Sequence, residues 1–223
     1  MRGEKRTGDS RLRPFFLDTN VYMSYALDPR FEVFHTDGCT IFNAKRDRCT
    51  SENVRDELRA KEADRMKLYV DILNHLDAGK PSSQFPFPTY KNSDQNAAIN
   101  IFDLISQNKL SLDYLRMLGA ELKQGIHEGL GRTVKPYIKP SKDRQMIADL
   151  GNKAGMHPPD REILADFFDW AHPKSTGSIF VTGDGDIRKS RGLVFKCVNA
   201  LKGGCGHLGL QFIVEAAKNI GRP

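Results

Sequence analysis

Two short apolar runs in this chain each stop abruptly in carboxylates. Phe15, Phe16 and Leu17 give way to Asp18, and Ile179, Phe180 and Val181 pass through Thr182 to Asp184 and Asp186. The first run follows Pro14 and ends in polar residues, which suits a strand of a parallel sheet buried on both faces. Between the two runs the chain carries helical spacing: Ser51 stands as N-cap ahead of Val54 and Leu58, with Leu68, Ile72 and Leu76 further on. Strands alternating with helices predict an α/β sandwich around a mostly parallel sheet. In such sheets ligands sit beyond the carboxyl ends of the strands, so Asp18 and Asp184 should emerge at one edge.

Further along, a helix is expected from about Val21 and a short strand near Thr40 to Phe42. The Pro- and Ser-rich stretch from Gly79 to Asp94 is incompatible with a helix interior. Helical patterns return in "NAAINIFDLISQ", "LSLDYLRMLGAELKQGIHEGL", "DRQMIADLGNKAG" and "REILADFFDWA". Neither an internal repeat nor a low-complexity tract breaks the pattern.

A length of 223 residues with 39% hydrophobic and 28% charged side chains fits one folded domain, with or without an insertion. No apolar stretch approaches the roughly 20 residues that span a bilayer, and the basic arm over residues 1–13 lacks the apolar segment of a secretory signal. A cytoplasmic location is therefore expected. Cys39, Cys49, Cys197 and Cys205 form no CxxC pair, so reduced thiols are expected in place of a disulfide framework or a four-cysteine zinc site. The net charge of +6 is a mild pointer to a polyanion.

Each acid has a plain structural reading. Asp18, Asp160 and Asp184 can cap helices, Asp186 can belong to a glycine turn, and Glu57, two turns into its helix, can face solvent. In order, however, "FFLDTNV", "TSENVRDEL", "HPPDREILADFF" and "IFVTGDGDI" resemble the four acidic motifs of the PIN domain, a family of metal-dependent nucleases. The resemblance implies a Rossmann-like three-layer α/β/α sandwich over residues 14–223. It implies catalytic roles for Asp18, Glu57, Asp160 and Asp184, with Asp186 as an additional acid. The first four would hold Mg²⁺ or Mn²⁺, with Asn20 and Thr182 orienting them. Asp166 and Asp169 share a helix with Asp160 and compete for its place. The spacing from Glu57 to Asp160 exceeds that of compact members, so a helical insertion is expected over about residues 80–145.

Clustered carboxylates suit this chemistry, because hard divalent cations prefer oxygen ligands and relieve the mutual repulsion of the acids. The activity implied is hydrolysis of RNA phosphodiester bonds, leaving a 5′-phosphate and a 3′-hydroxyl. Basic residues would grip the nucleic-acid backbone: Arg188, Lys189 and Arg191 after the fourth motif, and Lys135, Tyr137 and Lys139 in the insertion. The same clusters also read as solvated surface. Cys205 and His207 lack the spacing of a zinc pair, and no GxxxxGK[ST] occurs, which argues against P-loop chemistry. Two other readings fit the residues: an RNA-binding module of the same fold without catalysis, and a toxin held by a protein antitoxin. The resemblance also makes a homodimer an expected assembly.

Overall fold

In a computed structural model, which describes residues 13–136, 138, 144–171, 178–190, 192 and 208–220, the two apolar runs are neighbouring strands. Strand β1 is Phe15–Leu17, β2 is Arg48–Cys49, β3 is Ser178–Thr182 and β4 is Leu208–Phe212. They form one all-parallel sheet in the order β2-β1-β3-β4, with Leu17 paired to Val181. All three side chains of β1 are at most 1% exposed. Burying each stabilises the fold by about 1.5–3 kcal/mol, which explains why so short a strand holds the sheet's centre.

Helices connect the strands, as the mixed α/β reading requires. Helix α1 is Thr19–Ala26, α2 His35–Asn43, α3 Glu52–Asp77, α4 Asn92–Ser106, α5 Leu112–Gly131, α6 Arg144–Lys153 and α7 Pro158–Ala171. Residues 185–190 open a further helix, α8, and α9 is Ile213–Ile220. Ser51 caps α3, its hydroxyl accepting from the Val54 amide at 3.3 Å. Phe16 and Phe180 pack against Phe167 of α7, and Phe16 also meets Trp170. Helices α1 and α9 lie against β3. No helix among the described residues is long and apolar enough to cross a membrane.

Two sequence expectations change. Thr40 to Phe42 belong to α2, and the strand lies later, at β2. The run has β-forming residues, but Ile41 and Phe42 are buried from one helical face, with Phe42 against Tyr22 and Tyr25 of α1. Tertiary packing thereby overrides local preference. The first helix begins at Thr19, capped by Asp18, rather than near Val21. The stretch over residues 80–145, expected as a helical insertion, packs into the core. Its loop makes two short 3₁₀ turns, Ser82–Gln84 and Phe87–Thr89, and α5 packs on α1 and α3 with Leu115, Leu118, Leu122 and Ile126 buried in the common core. Gly125 permits the approach to α1, since a β-carbon there would stand 2.8 Å from Ala26 Cα. Past α5, Val134 bridges to Cys49 and extends the sheet's edge.

Candidate active site

The strand order creates a switch point. From β1 the chain crosses over to β2 on one side, whereas β3 and β4 lie on the other. The crevice beyond the carboxyl ends of β1 and β3 is where open parallel sheets bind ligands. Asp18 occupies the first of these ends, and Thr182, Gly183 and Asp184 form the second.

Asp18 is 1% exposed and tightly held. Its Oδ1 accepts from the Thr19 amide at 2.7 Å, capping α1, and its Oδ2 accepts from the Thr182 hydroxyl at 2.6 Å. The cap reading is therefore realised, and it is compatible with a second role, because a carboxylate has about four lone-pair sites. Burial pushes the Asp18 carboxyl up to about 6, opposed by Lys61 and by the Thr182 hydrogen bond. Thr182 joins the two strand ends: its hydroxyl donates to Asp18 and accepts from the Asp184 amide at 2.8 Å. Asp184 in turn caps α8, with Oδ1 accepting from the amides of Asp186 and Ile187 at 2.7 and 3.0 Å. Gly183 passes close to Asn20, where a β-carbon would come within 3.0 Å of the Asn20 Cβ.

Glu57 reaches this edge from α3. Its Oε2 accepts from the Thr19 hydroxyl at 2.8 Å, and its Oε1 pairs with Lys61 Nζ at 2.9 Å. Lys61 also donates to Asn20 Oδ1 at 2.9 Å. Asp160, in the first turn of α7, completes the set and is 9% exposed. Among the described residues no donor hydrogen-bonds to its carboxylate. Burial first, then Asp18, Asp184 and Glu57 together push the Asp160 carboxyl up to about 7, with Lys61 opposing. Four acids from four segments thus act on one another, with Lys61 as the cation among them. Asp18, Asp160 and Asp184 also stand at the starts of α1, α7 and α8, whose positive dipole ends ease the gathering of negative charge.

The remaining sequence candidates fall elsewhere. Asp186 lies outside the cluster: its carboxylate pairs with Lys189 at 2.9 Å on an exposed surface, and Lys189 holds it below the usual carboxylate range. Asp166 and Asp169 do not compete with Asp160. Both accept from Arg144 Nη1 at 3.0 Å, and Asp166 also accepts from Asn53 at 2.8 Å. Arg188 is exposed, with its guanidinium 5.0 Å from the Phe212 ring centroid. Lys135 is exposed and pairs with Glu52. Tyr137, Lys139, Arg191, Cys197, Cys205, His207 and the N-terminal arm up to residue 12 lie outside the described residues. Sequence reasoning missed Thr19, which links Asp18 to Glu57, and Lys61. The spacing of Glu57 and Lys61, four apart on one helix face, was the available signal for the lysine.

The donor set is all oxygen, which suits a hard divalent cation and not a soft one. Among the described residues no three carboxylate, imidazole or thiol side chains stand close enough together to enclose an ion unaided. Mg²⁺ does not require such a cage, since it is usually held by one or two carboxylates with water and substrate phosphate completing the shell. The chain matches no family model, no curated protein and no solved structure.

Proposed function

We propose that this chain is a metal-dependent endoribonuclease of the PIN type, built on a Rossmann-like three-layer sandwich. The observation that carries the reading is Asp160: a buried carboxylate without a hydrogen-bond donor among the described residues, facing three other acids at the switch point of a parallel sheet. Such an arrangement is costly for the protein alone, because buried charges are normally paired. A divalent cation, when bound, supplies the positive charge that stabilises the attacking and leaving oxygens in phosphodiester hydrolysis.

Within this reading each side chain has a defined task. Asp18, Glu57, Asp160 and Asp184 hold Mg²⁺ or Mn²⁺ directly or through water. Thr182 fixes the Asp18 carboxylate and the backbone of Asp184, and Thr19 fixes Glu57, so the acids keep their orientation. Asp160, whose carboxyl is raised to about 7 in the metal-free chain, would give up its proton when the cation binds. Lys61 moderates the repulsion without cancelling it. Arg188 and Lys189, exposed one turn beyond Asp184, contact the phosphates of a polyanion approaching this edge.

The test is cleavage of single-stranded RNA with Mg²⁺ or Mn²⁺ by the wild-type chain and by Asp18→Asn. Metal-dependent cutting by the wild type and background cutting by the variant are expected. Equal rates in the two proteins, or binding without any turnover, would reject the assignment.

A further inference from the structure

Beside the acidic cluster lies a cavity of about 150 Å³ between α1, α3 and the start of α4. It shares Asn20 and Lys61 with the site described above, so whatever fills it lies next to the acids. Met23 and Leu27 supply apolar wall. The cations around it are already matched: Lys61 to Glu57 at 2.9 Å, Arg65 to Asp94 at 2.9 Å and Lys91 to Asp64 at 2.7 Å. A phosphate would find no unmatched positive charge there. A neutral ring with a polar edge fits better.

Size narrows the choice, since a cavity of about this volume accommodates one six-membered aromatic ring. The polar lining narrows it again. Glu32, Asp64 and Asp94 bring acceptor oxygens: each is engaged on one oxygen, by the Phe34 amide, Lys91 and Arg65 in turn, and a carboxylate has further lone pairs to offer; Asp94 is 8% exposed. Carboxylates accept from the exocyclic amine of cytosine, whereas uracil presents a carbonyl oxygen at the equivalent place and is repelled. We propose that this cavity is a base-specificity subsite that takes a cytosine of the RNA strand next to the scissile phosphate. It rests on the nuclease reading. It also gives the stretch over residues 80–145 a task, because Lys91, Ser93 and Asp94 of that stretch form one wall.

The experiment uses the full chain carrying Asp160→Asn, which leaves the cavity intact, and measures fluorescence anisotropy with labelled oligocytidylate and oligouridylate in chelator. The wild-type chain is then assayed for cleavage of both polymers with Mg²⁺ or Mn²⁺. Oligocytidylate is expected to bind about tenfold more tightly than oligouridylate. Ser93→Trp, at an exposed position that tolerates a large side chain, fills the cavity and abolishes the preference; Asp64→Asn, which removes one acceptor, reduces it. Equal affinity for the two polymers, or a preference unchanged in both variants, would overturn the proposal. Preferential binding with no cleavage of either polymer supports the subsite and counts against the nuclease reading alone.

Discussion

Helix α7 carries two sets of acids with opposite surroundings. In its first turn Asp160 faces Asp18, Asp184 and Glu57, with no hydrogen-bond donor among the described residues. About two turns further on, Asp166 and Asp169 are equally buried, yet Arg144 bridges both at 3.0 Å and reaches Glu162 at 2.7 Å. The difference teaches how to separate working from structural carboxylates. A buried acid held by arginine and asparagine serves the fold. One left facing other acids destabilises the fold until something positive arrives, and that residual field is available for chemistry.

The comparison can be broken most forcefully at Arg144. Arg144→Ala leaves Asp169, whose side chain is fully buried, and Asp166 without their shared guanidinium. A loss of roughly 3–5 kcal/mol is expected in denaturant unfolding. A loss under about 1 kcal/mol would show that the two acid sets do not differ in the way described.

Removing charge from the other set should act in reverse. Asp18 and Asp160 have carboxyls raised to about 6 and about 7, so between about pH 4 and 7 the folded chain binds more protons than the unfolded one. Stability therefore falls as pH rises through that window. Asp160→Asn is expected to stabilise the metal-free protein by roughly 1–3 kcal/mol near pH 8, with the gain fading toward pH 4. A variant less stable than wild type at pH 8 would contradict it. Lys189→Ala gives the smallest effect, a thermal unfolding midpoint indistinguishable from wild type, because the pair with Asp186 is exposed. A lowered midpoint would mean that Asp186 is more tightly integrated than its surroundings indicate.

Much of this contrast was legible in the sequence, and its limits are physical. Asp18 and Asp184 follow buried strands, and strand ends in a parallel sheet share an edge, so their convergence follows from local pattern plus one topological rule. Asp160 and Glu57 were singled out only through the resemblance of their motifs, because the residues alone read equally well as a helix cap and a solvent-facing side chain. Nothing local marks Asp166 and Asp169 as neutralised, since their partner Arg144 lies on a separate helix, 22 and 25 residues away in the chain. The same limit hid the role of α5, whose apolar stripe could have closed a separate bundle but instead completes the core against α1 and α3. The misread strand at Thr40 to Phe42 has a like cause, because the aromatic partners that favour helix there lie on α1.

Calorimetric titration of the metal-free chain with Mn²⁺, in wild type and in Asp160→Asn, tests the central claim most directly. If the four acids form one under-compensated site, the wild type binds Mn²⁺ and releases protons near pH 6.5, releases fewer near pH 8.5 where Asp160 is already ionised, and the variant binds far more weakly. No binding by the wild type, or equal binding by both proteins, would contradict the account.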